Sequence, residues 1–329
     1  GLRLRRGLGL SFGFVPYSTI GYNFYRERLV TSDQTTTLPI KTTSSYQGEG
    51  GLHQAYVGLG WKPVGNLSVG VNASFIWGTY THAMAQTFTE GETSSTAYSG
   101  LNSEHSAHLK TYKIDLGAQY PIRLNPENWL TVGVTVGLGH KIKSDAVLSR
   151  YTSVGDSTQV TAKSPFDLPY TYGGGLAWQH KNTLLVAADY KYENWGDCRT
   201  PHSSTESGEL TYFGAKGDYK NRSRFAVGAQ YTPDPTDKRY VKRMQYRVGA
   251  NYSTPYLRVN GIDGPSDMTV SAGLGLPVSN KYNNRSMINL NLQWLRRKPS
   301  SASLITENYF MVNVGFTFNE NWFMKFKIQ

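Results

Sequence analysis

The sequence lacks any uninterrupted apolar run of the roughly 18 residues that a transmembrane helix needs, and its mean hydropathy is -0.45. Cysteine is almost absent. The one present, Cys198, excludes an internal disulfide framework and is too few for a cysteine-based metal site. Clustered charge is missing too: the net charge is +11, but the 34 Lys and Arg residues are scattered and form no basic block or basic helix, so nucleic acid is not an expected partner. The opening GLRLRRGLGL has neither an uninterrupted apolar core nor a cleavage site, so it is not a signal peptide; if the protein is exported, its signal is expected to have been removed.

What the chain does have is glycine, tyrosine and strict alternation. With 34 Gly, 23 Tyr and 39% hydrophobic residues among 329, it suits strands and membrane interfaces. A β-barrel escapes the hydropathy test, because only every second residue of its strands faces lipid. The clearest alternation sets Leu130, Val132, Val134, Val136 and Leu138 against Thr131, Gly133, Thr135, Gly137 and Gly139. Leu67 to Trp77, Tyr112 to Tyr120, Phe225 to Tyr231, Tyr246 to Tyr252 and Ile288 to Trp294 follow the same rule. The apolar face often ends in an aromatic residue, as at Trp61, Trp77, Tyr120, Trp178, Tyr231, Tyr252 and Trp294, which is the girdle expected where strands leave hydrocarbon.

These features predict an all-β fold, an antiparallel transmembrane β-barrel over 1–318, with strands near 3–14, 19–30, 45–61, 67–87, 107–122, 129–147, 168–180, 183–197, 221–232, 243–257, 267–278, 286–297 and 307–318. Tight turns at VPYST (15–19), KPVGN (62–66), RLNPEN (123–128) and HKN (180–182) mark the periplasmic side. Long polar loops near 31–44, 87–106, 147–167 and 198–220 mark the extracellular side, and 319–329 reads as a short periplasmic tail. First and last strands then both descend, giving an odd total of about thirteen. Bacterial single-chain barrels are even-numbered, so a fourteenth strand is expected upstream of Gly1.

Glycine-rich stretches such as SAGLGLPVSN are not followed by a helix and read as lumen glycines rather than phosphate loops. His105 and His108 beside Glu104 read as a solvated loop face, not a metal site. His140 has lipid-facing parity and His180 sits at a turn, so neither is placed for hydrolase chemistry; the chain is read as no enzyme, with no cofactor. Charges of both signs fall on the lumen parity, at Lys113, Asp115, Asp189, Lys191, Glu193, Arg224, Arg247 and Arg258, and predict an internal paired network.

The segments LRRGLGLSFGFVPYSTIGYNF, GGLHQAYVGLGWKPVGNLSVGVNASFIWG, KNTLLVAADYKYENWGD and YRVGANYSTPYLRVNG together resemble the FadL-type family of outer-membrane transporters for long-chain fatty acids and other hydrophobic compounds. The resemblance implies a fourteen-stranded barrel with an N-terminal hatch, and lateral release of ligand through a kinked third strand. That strand maps to Ile20, Gly21, Tyr22, Asn23, Phe24 and Tyr25, with Gly21 able to supply the kink. The family's Asn-Pro-Ala hatch segment has no counterpart in these residues. The expected function is passive uptake of a hydrophobic small molecule across the outer membrane of a Gram-negative-type bacterium, by lumen binding and lateral release. The alternative is a structural or docking barrel subunit of a larger outer-membrane secretion or assembly complex. Outer-membrane lipid, lipopolysaccharide, a hydrophobic ligand and other outer-membrane proteins or lipoproteins are the partners these readings imply.

Overall fold

The computed structural model describes residues 1–30, 40–90, 97–152, 155–206, 208–259, 261–278, 286–301 and 305–318. The proposed tail at 319–329 lies outside them. Strands come first as β1 (Leu2–Arg5), β2 (Leu8–Val30), β3 (Ile40–Trp61), β4 (Ser68–Glu90), β5 (Ala97–Asn125) and β6 (Asn128–Gly137). Four short strands follow, β7 (His140–Ile142), β8 (Ala146–Thr152), β9 (Ser157–Ala162) and β10 (Phe166–Leu168). The wall then resumes with β11 (Thr171–His180) and β12 (Leu184–Glu193), breaks for the hairpin β13 (Thr200–Glu206) and β14 (Glu209–Ala215), and continues with β15 (Arg222–Tyr231) and β16 (Gln245–Ser253). After the two-residue strands β17 (Arg258–Val259) and β18 (Ile262–Asp263) come β19 (Ser266–Val278), β20 (Ser286–Lys298) and β21 (Glu307–Thr317).

Thirteen of these form one antiparallel path, β1-β2-β3-β4-β5-β6-β11-β12-β15-β16-β19-β20-β21. β1 and β21 stand at its two ends, each hydrogen-bonded to one strand among the described residues. Cross-strand partners share a face, so the registers assign every side chain to lumen or lipid. Phe75, Tyr112, Val134, Leu176, Val227, Val248 and Leu292 all fall on the lipid side and are 51–62% exposed on the protein surface, as the outward residues of an apolar belt must be. The belt is bounded by aromatics: Trp61, Tyr120, Trp178 and Tyr231 at the short-turn end, and Trp77, Tyr252 and Trp294 at the other. On β3, β4 and β5 it runs 53–61, 69–77 and 112–120. Roughly 9 to 11 tilted residues cross a bilayer.

VPYST is not a turn. β2 runs unbroken through it, and the register with β3 slips once, between Pro16↔His53 and Ser18↔Leu52, leaving Tyr17 as a bulge. Pro16 has no N–H to place in a ladder, which a bulge tolerates and a regular strand does not. The true turn is at Arg6 and Gly7, where Gly7 takes φ of 80° and its carbonyl accepts from Lys62 N at 2.7 Å. The bulge also reverses the alternation. Phe12 and Phe14 face lipid below it, whereas Tyr22 and Phe24 face inward above it.

The second correction concerns the loops. β2 to β5 are 22 to 29 residues long, at least twice a membrane span, and continue past the belt as a wall. Its outer face changes there from Val, Leu, Phe and Trp to Thr43, Ser45, Gln47, Glu49, Thr79 and Thr81. Most of 87–106 is thus strand, and 147–167 and 198–220 hold β8 to β10 and β13 to β14. β8 pairs with β5 at Leu101–Ala107 and β9 pairs with β8. Between these elements lies the buried cluster Ala107, Leu109, Ile142, Ala146, Leu148, Ala162, Leu168 and Tyr212, with Leu52, Tyr80, Val160, Phe166 and Leu210 packed on it. The hydrophobic core therefore sits beyond the membrane belt, as a cap at the long-loop end, and the hairpins are folded structure.

Candidate functional site

Below the cap the barrel holds a cavity of about 1150 Å³, bounded by β1 to β6, β11 and β12. Its inward residues are Gly9, Gly58, Gly60, Gly70, Gly117, Gly133, Gly173 and Gly175, with Ser11, Asn72, Asp115, Gln119, Thr135, Asp189 and Lys191 between them. The glycines make room for polar side chains across the sheet: a Cβ on Gly175 would lie 2.2 Å from Asp189 Oδ1, and one on Gly173 2.3 Å from Thr135 Oγ1. Pockets for hydrophobic ligands are lined mainly by apolar and aromatic groups. Here the inward side chains are small or polar, although Leu10, Leu59, Val69, Leu116, Val134 and Leu176 of the same strands also border the space.

The charges expected to form one lumen network make separate local contacts. Lys113 Nζ donates to both carboxylate oxygens of Asp115. Lys191 Nζ lies 2.8 Å from Glu193 Oε1, Trp195 Nε1 donates to Glu193 Oε2 at 3.0 Å, and Arg224 Nε donates to Ser253 Oγ at 3.2 Å. Asp189 lines the cavity beside them. Arg247 is at the short-turn end, donating to Gln230 Oε1 at 2.9 Å, Asn289 Oδ1 at 2.7 Å and also to Gln245. Arg258 does not belong to the wall at all. It lies on β17, where its Nε is 3.3 Å from Asp263 Oδ1. Sequence reasoning missed Arg222, Asp267 and Arg297, although all three have inward parity and Asp267↔Arg297 are direct cross-strand partners.

The segment mapped as a lateral gate divides between two faces. Gly21, Asn23 and Tyr25 point outward. The ladder is regular through Gly21↔Glu49, and the slip falls at Tyr17 instead. Tyr22 and Phe24 join an inward aromatic row: Phe24 stacks on Tyr46 with centroids 5.1 Å apart, Tyr22 Oη lies 2.8 Å from His82 Nδ1, and Tyr80 meets His82 at 5.1 Å and Phe166 at 6.0 Å. His82 and His105 are cross-strand partners, and His105 Nδ1 is 3.2 Å from Tyr212 Oη of the cap. His105 is thus a cap-packing residue and not part of a solvated loop face. Burial lowers the pKa of both imidazoles, and for His105 Arg150 adds to the effect.

The cap is locked by Asp167, which accepts from Arg199 Nε at 2.8 Å, Arg199 Nη2 at 2.6 Å and the Arg199 backbone N at 3.0 Å. Burial raises the Asp167 carboxyl, but these bonds and the guanidinium charge outweigh it and hold it below the ordinary carboxylate value. Cys198, next to this pair, is buried; its thiol is pushed up to about 12, chiefly by burial, and is unreactive.

Fold, belt and girdles define an integral outer-membrane β-barrel. The chain belongs to the BamG family, which matches residues 1–329. No curated protein matches it. Among solved structures it is similar to a Pseudomonas aeruginosa FadL homologue, with 11% identity over 89% of this chain and 82% of that one and a TM-score of 0.57. It is also similar to the Ralstonia pickettii toluene transporter TbuX, with 13% identity over 94% and 88% and a TM-score of 0.54. The Pseudomonas putida toluene transporter TodX gives 13% identity over 95% and 89% and a TM-score of 0.50. At such identities the likeness establishes the shared fold, that of outer-membrane channels.

Proposed function

We propose that this barrel is a docking subunit of a larger outer-membrane assembly. The observation that carries the reading is the lumen. At membrane level its inward side chains are glycines and short polar or charged groups, with Lys113 paired to Asp115 and Lys191 to Glu193, and the buried apolar cluster lies instead in a folded cap. A barrel whose structured mass stands beyond the membrane is suited to holding neighbours rather than passing an oily molecule. In this reading the long-loop end faces outward, the belt contacts outer-membrane lipid and lipopolysaccharide, and the tall wall of β2 to β5 meets other outer-membrane proteins or lipoproteins. The test is mild-detergent extraction of the tagged full chain from native membranes. Stoichiometric co-purification of specific envelope proteins, with uptake of hydrophobic compounds unchanged on gene deletion, is the expected result. A partner-free barrel whose loss abolishes that uptake would overturn it.

A second reading is passive uptake of hydrophobic small molecules such as long-chain fatty acids. It is favoured by the inward aromatic row above the cavity, where Phe24 remains 54% exposed, and by likeness to channels described as toluene transporters. Gly21 to Tyr25, the segment mapped as the exit, stand above the belt beside Ser45, Gln47 and Glu49 of β3, so in this reading they would admit ligand rather than release it to lipid.

A further inference from the structure

Arg222 stands at the upper end of β15, facing the lumen opposite Glu193. Its Nε is buried without a hydrogen-bond partner among the described residues, and Glu193 lies 4.0 Å from Nη1, beyond hydrogen-bond reach. Glu193 is already held by Lys191 and Trp195. The Arg222 guanidinium instead lies over the Tyr256 ring, 5.0 Å from its centroid. A partly desolvated guanidinium with donors to spare is costly unless an acceptor reaches it.

Beside it is a second, small cavity of about 150 Å³, lined by Arg222, Thr254, Tyr256, Asp267 and Arg297 among others. That is about five water volumes. Asp267 does not make the cavity acidic, because its oxygens are taken by Arg297 Nε at 2.9 Å and Nη2 at 3.4 Å. Arg297 Nη1 is left 3.7 Å from Glu307. Thr254 Oγ1 accepts from Ser223 N at 2.8 Å, which leaves its hydroxyl hydrogen available. Two steps further along β15, Arg224 adds positive charge on the same face. Arg222, Thr254 and Arg297 thus border a space around which four cations, Lys191, Arg222, Arg224 and Arg297, stand against three carboxylates, Glu193, Asp267 and Glu307, a net +1. Arginine forks match phosphate oxygens in this way.

We propose that Arg222, Thr254 and Arg297 form a binding site for a small phosphate-class oxyanion at the long-loop mouth of the lumen. The cavity faces the interior, so the anion enters as a soluble species and not as a membrane lipid headgroup. This assignment is independent of the docking reading. The test is titration of the detergent-solubilised full chain with inorganic phosphate in low-chloride buffer, followed by calorimetry and ³¹P line broadening. Saturable binding is expected, competed by sulfate, weakened at least about tenfold in Arg222→Gln and weakened less in Thr254→Val. Folding of each variant is checked by its heat-modifiable electrophoretic mobility. Phosphatidic acid in mixed micelles should fail to displace phosphate; displacement would show that a lipid headgroup is the ligand and overturn the soluble assignment. Absence of saturable binding to the parent chain at millimolar phosphate, or unchanged binding in folded Arg222→Gln, would overturn the site itself.

Discussion

At the residue scale, the contacts that decide behaviour are few and lie in the cap. Burial holds the His82 and His105 imidazoles below their ordinary 6.5, so the opened cap takes up protons that the closed cap refuses. The stability they support is complete above pH 6.5 and declines as the pH falls below it. Asp167 works in a separate window. Its carboxyl lies below the ordinary 3.8, so its contribution is present above that value and is lost as the pH falls through its depressed one. Hydrogen exchange of 200–215, corrected for intrinsic rates, should therefore accelerate in two steps, one beginning near pH 6.5 and one below 3.8. His105→Gln should remove part of the first step only. None of this was legible in the sequence. His105 looked like a loop histidine because its partner Tyr212 is 107 positions away, and local pattern does not report contacts at that separation.

At the element scale, alternation revealed the strands because a lipid-facing sheet cannot hide its period. It did not reveal where the period breaks. Tyr17 shifts the phase of β2, and at the same level Gly50, with φ of 110°, would place a Cβ 2.3 Å from Thr79 O, while a Cβ on Gly78 would lie 2.1 Å from Gly51 O. Bulge and glycines together let three strands bend where membrane belt becomes wall. Gly78→Val should cost about 3 kcal/mol, at the upper end of overpacking penalties. Gly21→Val, which meets nothing within 4 Å, should stay within about 0.5 kcal/mol. Urea unfolding of the purified barrel checks both, and equal effects would mean that the bend is not confined to Gly78. The proline in VPYST suggested a turn because a turn is the commonest use of such a segment; only pairing with His53 and Leu52 distinguishes the bulge.

At the scale of the whole molecule, membrane class and the number of wall strands were legible because both follow from period and girdle, which are local quantities. The cap was not. Ala146, Leu148, Ala162 and Leu168 are small or scattered apolar residues in polar surroundings, and they form a core only when β5, β7 to β10 and β14 meet. Replacing 200–215 by a short Gly/Ser linker should leave the barrel heat-modifiable while opening Leu148 and Tyr80 to solvent, read as new binding of a hydrophobic dye. Loss of the folded barrel would show that cap and barrel are one cooperative unit.

The cap also has an order in time built into it. All of its buried members lie between Leu52 and Tyr212, and β15 to β21 contribute none among the described residues. A chain inserted from its N-terminal strands onward can complete this core while its last five membrane strands are still unpaired, so the nascent barrel carries a finished, rigid fragment on one side of an unclosed sheet.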